Sequence, residues 1–108
     1  MPTPVTYNRA VDRNQTFYFQ FKMRQGNDYI DISAYDFEFI LKTKVGAIIW
    51  DVENADFTRP DIYTIKFQKS VAELGNVPIG LYTMSFLVTN SDQTNNEYMT
   101  GLWEFKNS

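Results

Sequence analysis

The chain has 108 residues, 17% of them aromatic, with 13 acidic against 10 basic side chains and a net charge of −3. That length suits one domain with its own core, and the acidic balance argues against binding a phosphate backbone, which needs a basic patch. Cysteine and histidine are absent, which excludes disulfides, thiolate zinc sites, Cys nucleophiles, Ser-His-Asp triads and imidazole metal ligands.

Residues 1–13 read as an extended arm. Pro2 and Pro4 disfavour helix and remove two backbone donors. Prolines and charge make the arm a poor part of the core. It is either a loose terminus or a segment that orders against a neighbouring subunit. In the second case Val5, Tyr7, Arg9, Val11 and Arg13 make the contact. The start, Met1-Pro2-Thr3-Pro4-Val5-Thr6-Tyr7, lacks the charged and apolar regions of a signal peptide. The expectation is a product made in the cytoplasm without a targeting segment. No apolar stretch approaches the length of a membrane span.

Residues 14–108 read as the folded domain. Over 14–24, Phe17, Phe19, Phe21 and Met23 alternate with Tyr18, Gln20, Lys22 and Arg24, the period of a strand with one buried face. Gln25-Gly26-Asn27-Asp28 is a turn sequence. A short strand follows at 29–32, with a corner at Ser33-Ala34. The next strong strand, 35–44, alternates Phe37, Phe39 and Leu41 with Glu38, Ile40 and Lys42. Beyond Val45-Gly46, the strand at 47–53 sets Ile48, Trp50 and Val52 on one face and Ile49 and Asp51 on the other. Residues 54–61 have a loop composition. A strand at 62–68 carries Tyr63, Ile65 and Phe67. Ser70 and Glu73 have capping-box spacing for one helical turn, which Gly75 ends. Pro78 and Gly80 lead into a strand at 81–89 with Tyr82, Met84, Phe86 and Val88. The polar stretch 90–96 reads as a mobile hairpin loop, and 97–106 as the last strand with Trp103 and Phe105.

About seven short strands with no long helix predict an all-β fold, a two-layer antiparallel Ig-like β-sandwich. An open barrel of the oligonucleotide-binding type is the alternative. The predicted core contains Phe19, Phe21, Phe37, Phe39, Ile65, Met84, Phe86 and Trp103.

Carboxylates are the remaining acid-base candidates. Asp51 and Glu53 share a strand face, as do Asp36 and Glu38. Such pairs can work on a glycosidic bond or hold a hard cation, but solvated strand faces carry the same pattern. Asn54-Ala55-Asp56 with Asp61 lacks the Gly and terminal Glu of a calcium loop. No catalytic centre, metal or cofactor is therefore expected. Asn14-Gln15-Thr16 is a formal glycosylation sequon, of little meaning without a secretory signal. Tyr18, Tyr29, Tyr35 and Tyr98 are candidates either for stacking on a sugar or for core and interface packing.

Three segments carry a more specific pattern: Ile32-Ser33-Ala34-Tyr35-Asp36-Phe37, Pro78-Ile79-Gly80-Leu81-Tyr82 and Gly101-Leu102-Trp103-Glu104-Phe105. In that order they resemble the small Ig-like modules of tailed-phage virions, such as the N-terminal domains of upper baseplate proteins. The likeness spans residues 14–106. The final strand departs from it, with aromatics in place of Val. The resemblance implies a structural role without an active site. The expected function is an adaptor or decoration in the virion, joining tail, neck or capsid components through sheet edges, loops and the arm. Its partners would be other virion proteins and copies of itself in a symmetric assembly. Nucleic acid, membrane and small-molecule substrates are not expected. A carbohydrate-binding module using exposed aromatics is the alternative.

Overall fold

The computed structural model describes residues 5–89 and 95–107. In chain order these form β1 (Val5–Thr6), β2 (Arg9–Asp12), β3 (Phe17–Lys22), β4 (Arg24–Gln25), β5 (Asp28–Tyr29), β6 (Asp36–Lys42) and β7 (Ile48–Val52). A 3-10 turn (Asn54–Asp56), β8 (Thr58–Asp61), β9 (Thr64–Lys69), α1 (Val71–Leu74), β10 (Gly80–Thr89) and β11 (Asn95–Lys106) complete them.

Period-two alternation decides which faces meet. β3 buries Phe17, Phe19 and Phe21 and exposes Tyr18, Gln20 and Lys22. β6 buries Phe37, Phe39 and Leu41, and β10 buries Tyr82, Met84, Phe86 and Val88. The larger sheet runs β7-β6-β10-β11, with β1 and β2 both on the far side of β11; the smaller runs β3-β9-β8. The two sheets face each other as an Ig-like sandwich with the first strands shifted to the larger sheet. Aromatic rings fill the interior. Phe19 lies 5.3 Å from both Phe39 and Phe67, and 5.5 Å from Phe86. Every residue of the predicted core is buried, Phe21 being the most exposed at 8%.

The arm is the main correction. From Val5 onward it is part of this chain's own sheet. Val5 lies opposite Met99, and Val11 opposite Phe105, both in parallel. Tyr7 N donates to Thr100 O at 2.8 Å, and Trp103 Nε1 donates to Tyr7 O at 3.1 Å. Val11 is buried in the core. Gly101 makes this approach possible, because a Cβ there would collide with the Tyr7 carbonyl. The part of the arm at residues 1–4 lies outside the described residues.

Smaller departures have local causes. Ile48 faces outward at 57% exposure, although Trp50 and Val52 face inward. The β6–β7 register shifts at Leu41/Lys42, leaving Ile49 as the extra residue of a bulge. Strand pairing stops at Tyr29, yet Ile32 is buried and its N–H donates to Ile62 O at 2.8 Å. Tyr63 sits in a turn, its N–H held by Asp61 Oδ1 at 2.8 Å, and β9 starts one residue later. The stretch 54–61 holds a 3-10 turn and β8 where a loop was expected. The loop expected at 90–96 lies outside the described residues over 90–94, while Asn95 and Asn96 belong to β11. The capping box forms as expected: Ser70 Oγ accepts from Glu73 N at 3.2 Å, and Glu73 Oε1 accepts from Ser70 N at 3.0 Å.

Candidate functional site

Pairing of β6 with β7 gathers the carboxylates that the sequence offered only as separate pairs. Asp51 stands opposite Ile40, and Val52 opposite Phe39. The next step along both strands brings Glu53 beside Glu38. Glu38 shares a hydrogen bond with Asp51. That bond, partial burial and the charges of Asp51 and Glu53 push its pKa up to about 7. On its other flank β10 presents Leu87, opposite Glu38 in register. Asp36, at the start of β6, lines the same shallow depression with Asn54 and Thr89.

The acidic loop behind β7 is committed to the fold. Asn54 Oδ1 accepts from Phe37 N at 3.0 Å and from Arg59 at 2.9 Å. Asp56 Oδ2 accepts from Glu53 N at 3.0 Å. Arg59 also donates to Ile32 O and Tyr35 O, at 2.9 and 2.7 Å, and so ties β8 to the corner before β6. Among the described residues, no group of three acidic side chains is placed to hold a metal ion.

The predicted contact residues of the arm are mostly engaged within the chain. Tyr7 packs edge-on to Trp103 at 5.8 Å. The Arg9 guanidinium lies over Phe17 at 4.5 Å. Arg13 donates to Gly75 O at 3.0 Å and to Asn107 Oδ1 at 3.1 Å. Val11 is buried, whereas Val5 is 56% exposed. The candidate sugar-stacking tyrosines are dispersed. Tyr98 packs on Phe21, and Tyr35 is half-buried. Tyr18 on β3 and Tyr29 on β5 stay exposed, and Tyr29 accepts a hydrogen bond from Arg24 at 2.9 Å. That bond, first, and the nearby charges of Arg24 and Lys22 lower the Tyr29 pKa.

Sequence reading missed the edge. β7 ends the larger sheet and has β6 as its sheet neighbour among the described residues. A groove runs between β7 and the smaller sheet, lined by Asp51, Val52, Asp56, Thr58, Phe67 and Lys69. No signal in a single sequence reports which strand ends a sheet.

No protein-family model matches this chain, and no curated protein matches it. The fold class that the geometry defines is an Ig-like β-sandwich whose larger sheet ends, among the described residues, at β7 on one side and at β1 and β2 on the other.

Proposed function

We propose that this chain is a non-enzymatic structural protein of a tailed-phage virion, an adaptor or decoration that joins larger components. The observation that carries the reading is the uncovered β7 edge on a densely packed sandwich. A free edge offers main-chain hydrogen bonds to a neighbour without special chemistry. The likeness of the three sequence segments to virion modules supplies the setting. Docking through the arm is replaced by docking through the sheet, since β1 and β2 are occupied in their own chain.

A carboxylate hydrolase fits poorly. Glycosidases hold their two carboxyl groups about 5 Å or more apart to admit substrate or water. Glu38 and Asp51 instead bond to each other on an open strand face.

Mass spectrometry of purified particles tests the proposal, together with the genes flanking this one. The expected result is many copies per particle and neighbours encoding capsid and tail parts. Absence from particles, with saturable binding to a sugar, would transfer the role to the carbohydrate-binding alternative.

A further inference from the structure

The edges of the two sheets differ in what they can accept. In the smaller sheet β8 carries Pro60, which lacks a donor and blunts that edge. On its other side β3, six residues long and free of proline, is open among the described residues but presents Tyr18, Gln20 and Lys22 and no carboxylate on its exposed face. Beyond β11 the edge consists of β1 and β2, two and four residues long and interrupted at Tyr7 and Asn8. β7 is five residues long, contains no proline, and has nothing paired beyond it among the described residues. Alternate residues of such a strand direct N–H and C=O groups away from the sheet.

The side chains along β7 select the occupant. Asp51 and Glu53 flank the edge on the outer face, with Glu38 one strand behind. None of these three forms an ion pair with Lys or Arg among the described residues. Lys69, in the neighbouring groove, is already held by Glu73 at 3.6 Å and lies 5.4 Å from the Trp50 ring. That groove is lined mostly by polar side chains, Asp51, Asp56, Thr58 and Gln68 among them, while Val52 and Phe67 are buried. An added strand would therefore meet carboxylates along this edge.

We propose that β7 is a docking edge that takes up, by strand addition, an extended partner segment with Lys or Arg at alternate positions. The period of two places every basic side chain on the Asp51–Glu53 face. A second copy of this chain is disfavoured at the same edge, because two β7 strands would set Asp51 and Glu53 against their own kind. The inference rests on the reading of the chain as an assembly component and adds the chemistry of the partner.

The test is an NMR titration of the isotopically labelled full chain with a capped Lys-Val-Lys-Val-Lys-Val-Lys peptide. Amide shifts are expected along residues 48–52. The double substitution Asp51→Asn, Glu53→Gln should weaken binding about tenfold with the spectrum otherwise preserved. A peptide with Glu in place of Lys should not bind. Nor should the basic peptide N-methylated on its pairing edge, which keeps its charge but loses main-chain donors. Shifts elsewhere, unchanged affinity in the double variant, or equal binding by the N-methylated peptide would overturn the proposal. Self-association of the protein through residues 48–52 would overturn it in favour of a second copy. A negative titration leaves the virion reading intact, since that is decided by presence in particles.

Discussion

The Tyr82 hydroxyl donates a 2.6 Å hydrogen bond to the carbonyl of Pro78. This closes the corner into β10 and explains the spacing of Pro78, Gly80 and Tyr82. The ring itself is buried and packs edge-on to Phe105 at 5.1 Å. Such tyrosine corners characterise Ig-like sandwiches. Tyr82→Phe keeps the ring and removes the bond, so it should cost about 1–2 kcal/mol. Urea unfolding measures this. A cost below about 0.3 kcal/mol would mean that the corner is held by packing alone.

Gly101 should be the most sensitive glycine. Gly101→Ala places a methyl against the Tyr7 carbonyl, so β1 and β2 must shift or detach. A loss of about 2–3 kcal/mol is expected, in the range for overpacked sites. Hydrogen exchange should quicken at Val11, and at Tyr7, whose N–H bonds Thr100 O. Deleting residues 1–12 should be worse, since it strips Val11 from the core and uncovers one side of Trp103. A truncated chain with an unchanged melting temperature would return the arm to the role of a passive tail.

Phe39 is fully buried and meets Phe19, Phe67 and Trp103, with ring centroids 5.1 to 5.3 Å away. Phe39→Ala should cost about 3–5 kcal/mol by denaturant unfolding. A near-neutral result would show that the interior closes over the gap.

Glu38 makes stability depend on pH with an unusual sign. Its pKa rises from 4.5 to about 7 in the folded chain. The folded state therefore holds more protons than the unfolded state between these values. The contribution of this group is favourable below about pH 4.5 and is lost as pH rises through about 7. Glu38→Gln keeps a neutral hydrogen-bonding group next to Asp51. The variant should gain about 1 kcal/mol over the parent at pH 8, after allowance for solvent screening, and little at pH 4.5. Unfolding curves for both proteins across that range check this. A constant difference would place the proton elsewhere.

Much of the fold is legible in the sequence because alternation is local. The runs from Phe17 to Phe21 and from Tyr82 to Val88 declare their buried faces within a few residues. The capping box of Ser70 and Glu73 needs only its own turn. The arm was not legible, since its partner strand lies more than ninety positions away, as with Asn8 and Leu102 at a separation of 94. A glycine such as Gly101 does not announce that another strand crosses it. The convergence of Glu38 with Asp51 and Glu53 depends on the β6–β7 register, and the outward turn of Ile48 on a bulge inside that pairing. Alternation contains neither. The candidate site is a product of strand order, which is why its carboxylates were visible and its edge was not.

β7 is proposed to join this chain to its neighbours, and a cryo-electron-microscopy reconstruction of particles that contain the protein would reveal what lies along that strand. A strand from a neighbouring protein is expected to pair along Ile48–Val52, extending the larger sheet beyond β7. An Ile48–Val52 edge left open to solvent, with the neighbour seated on another surface, would contradict it.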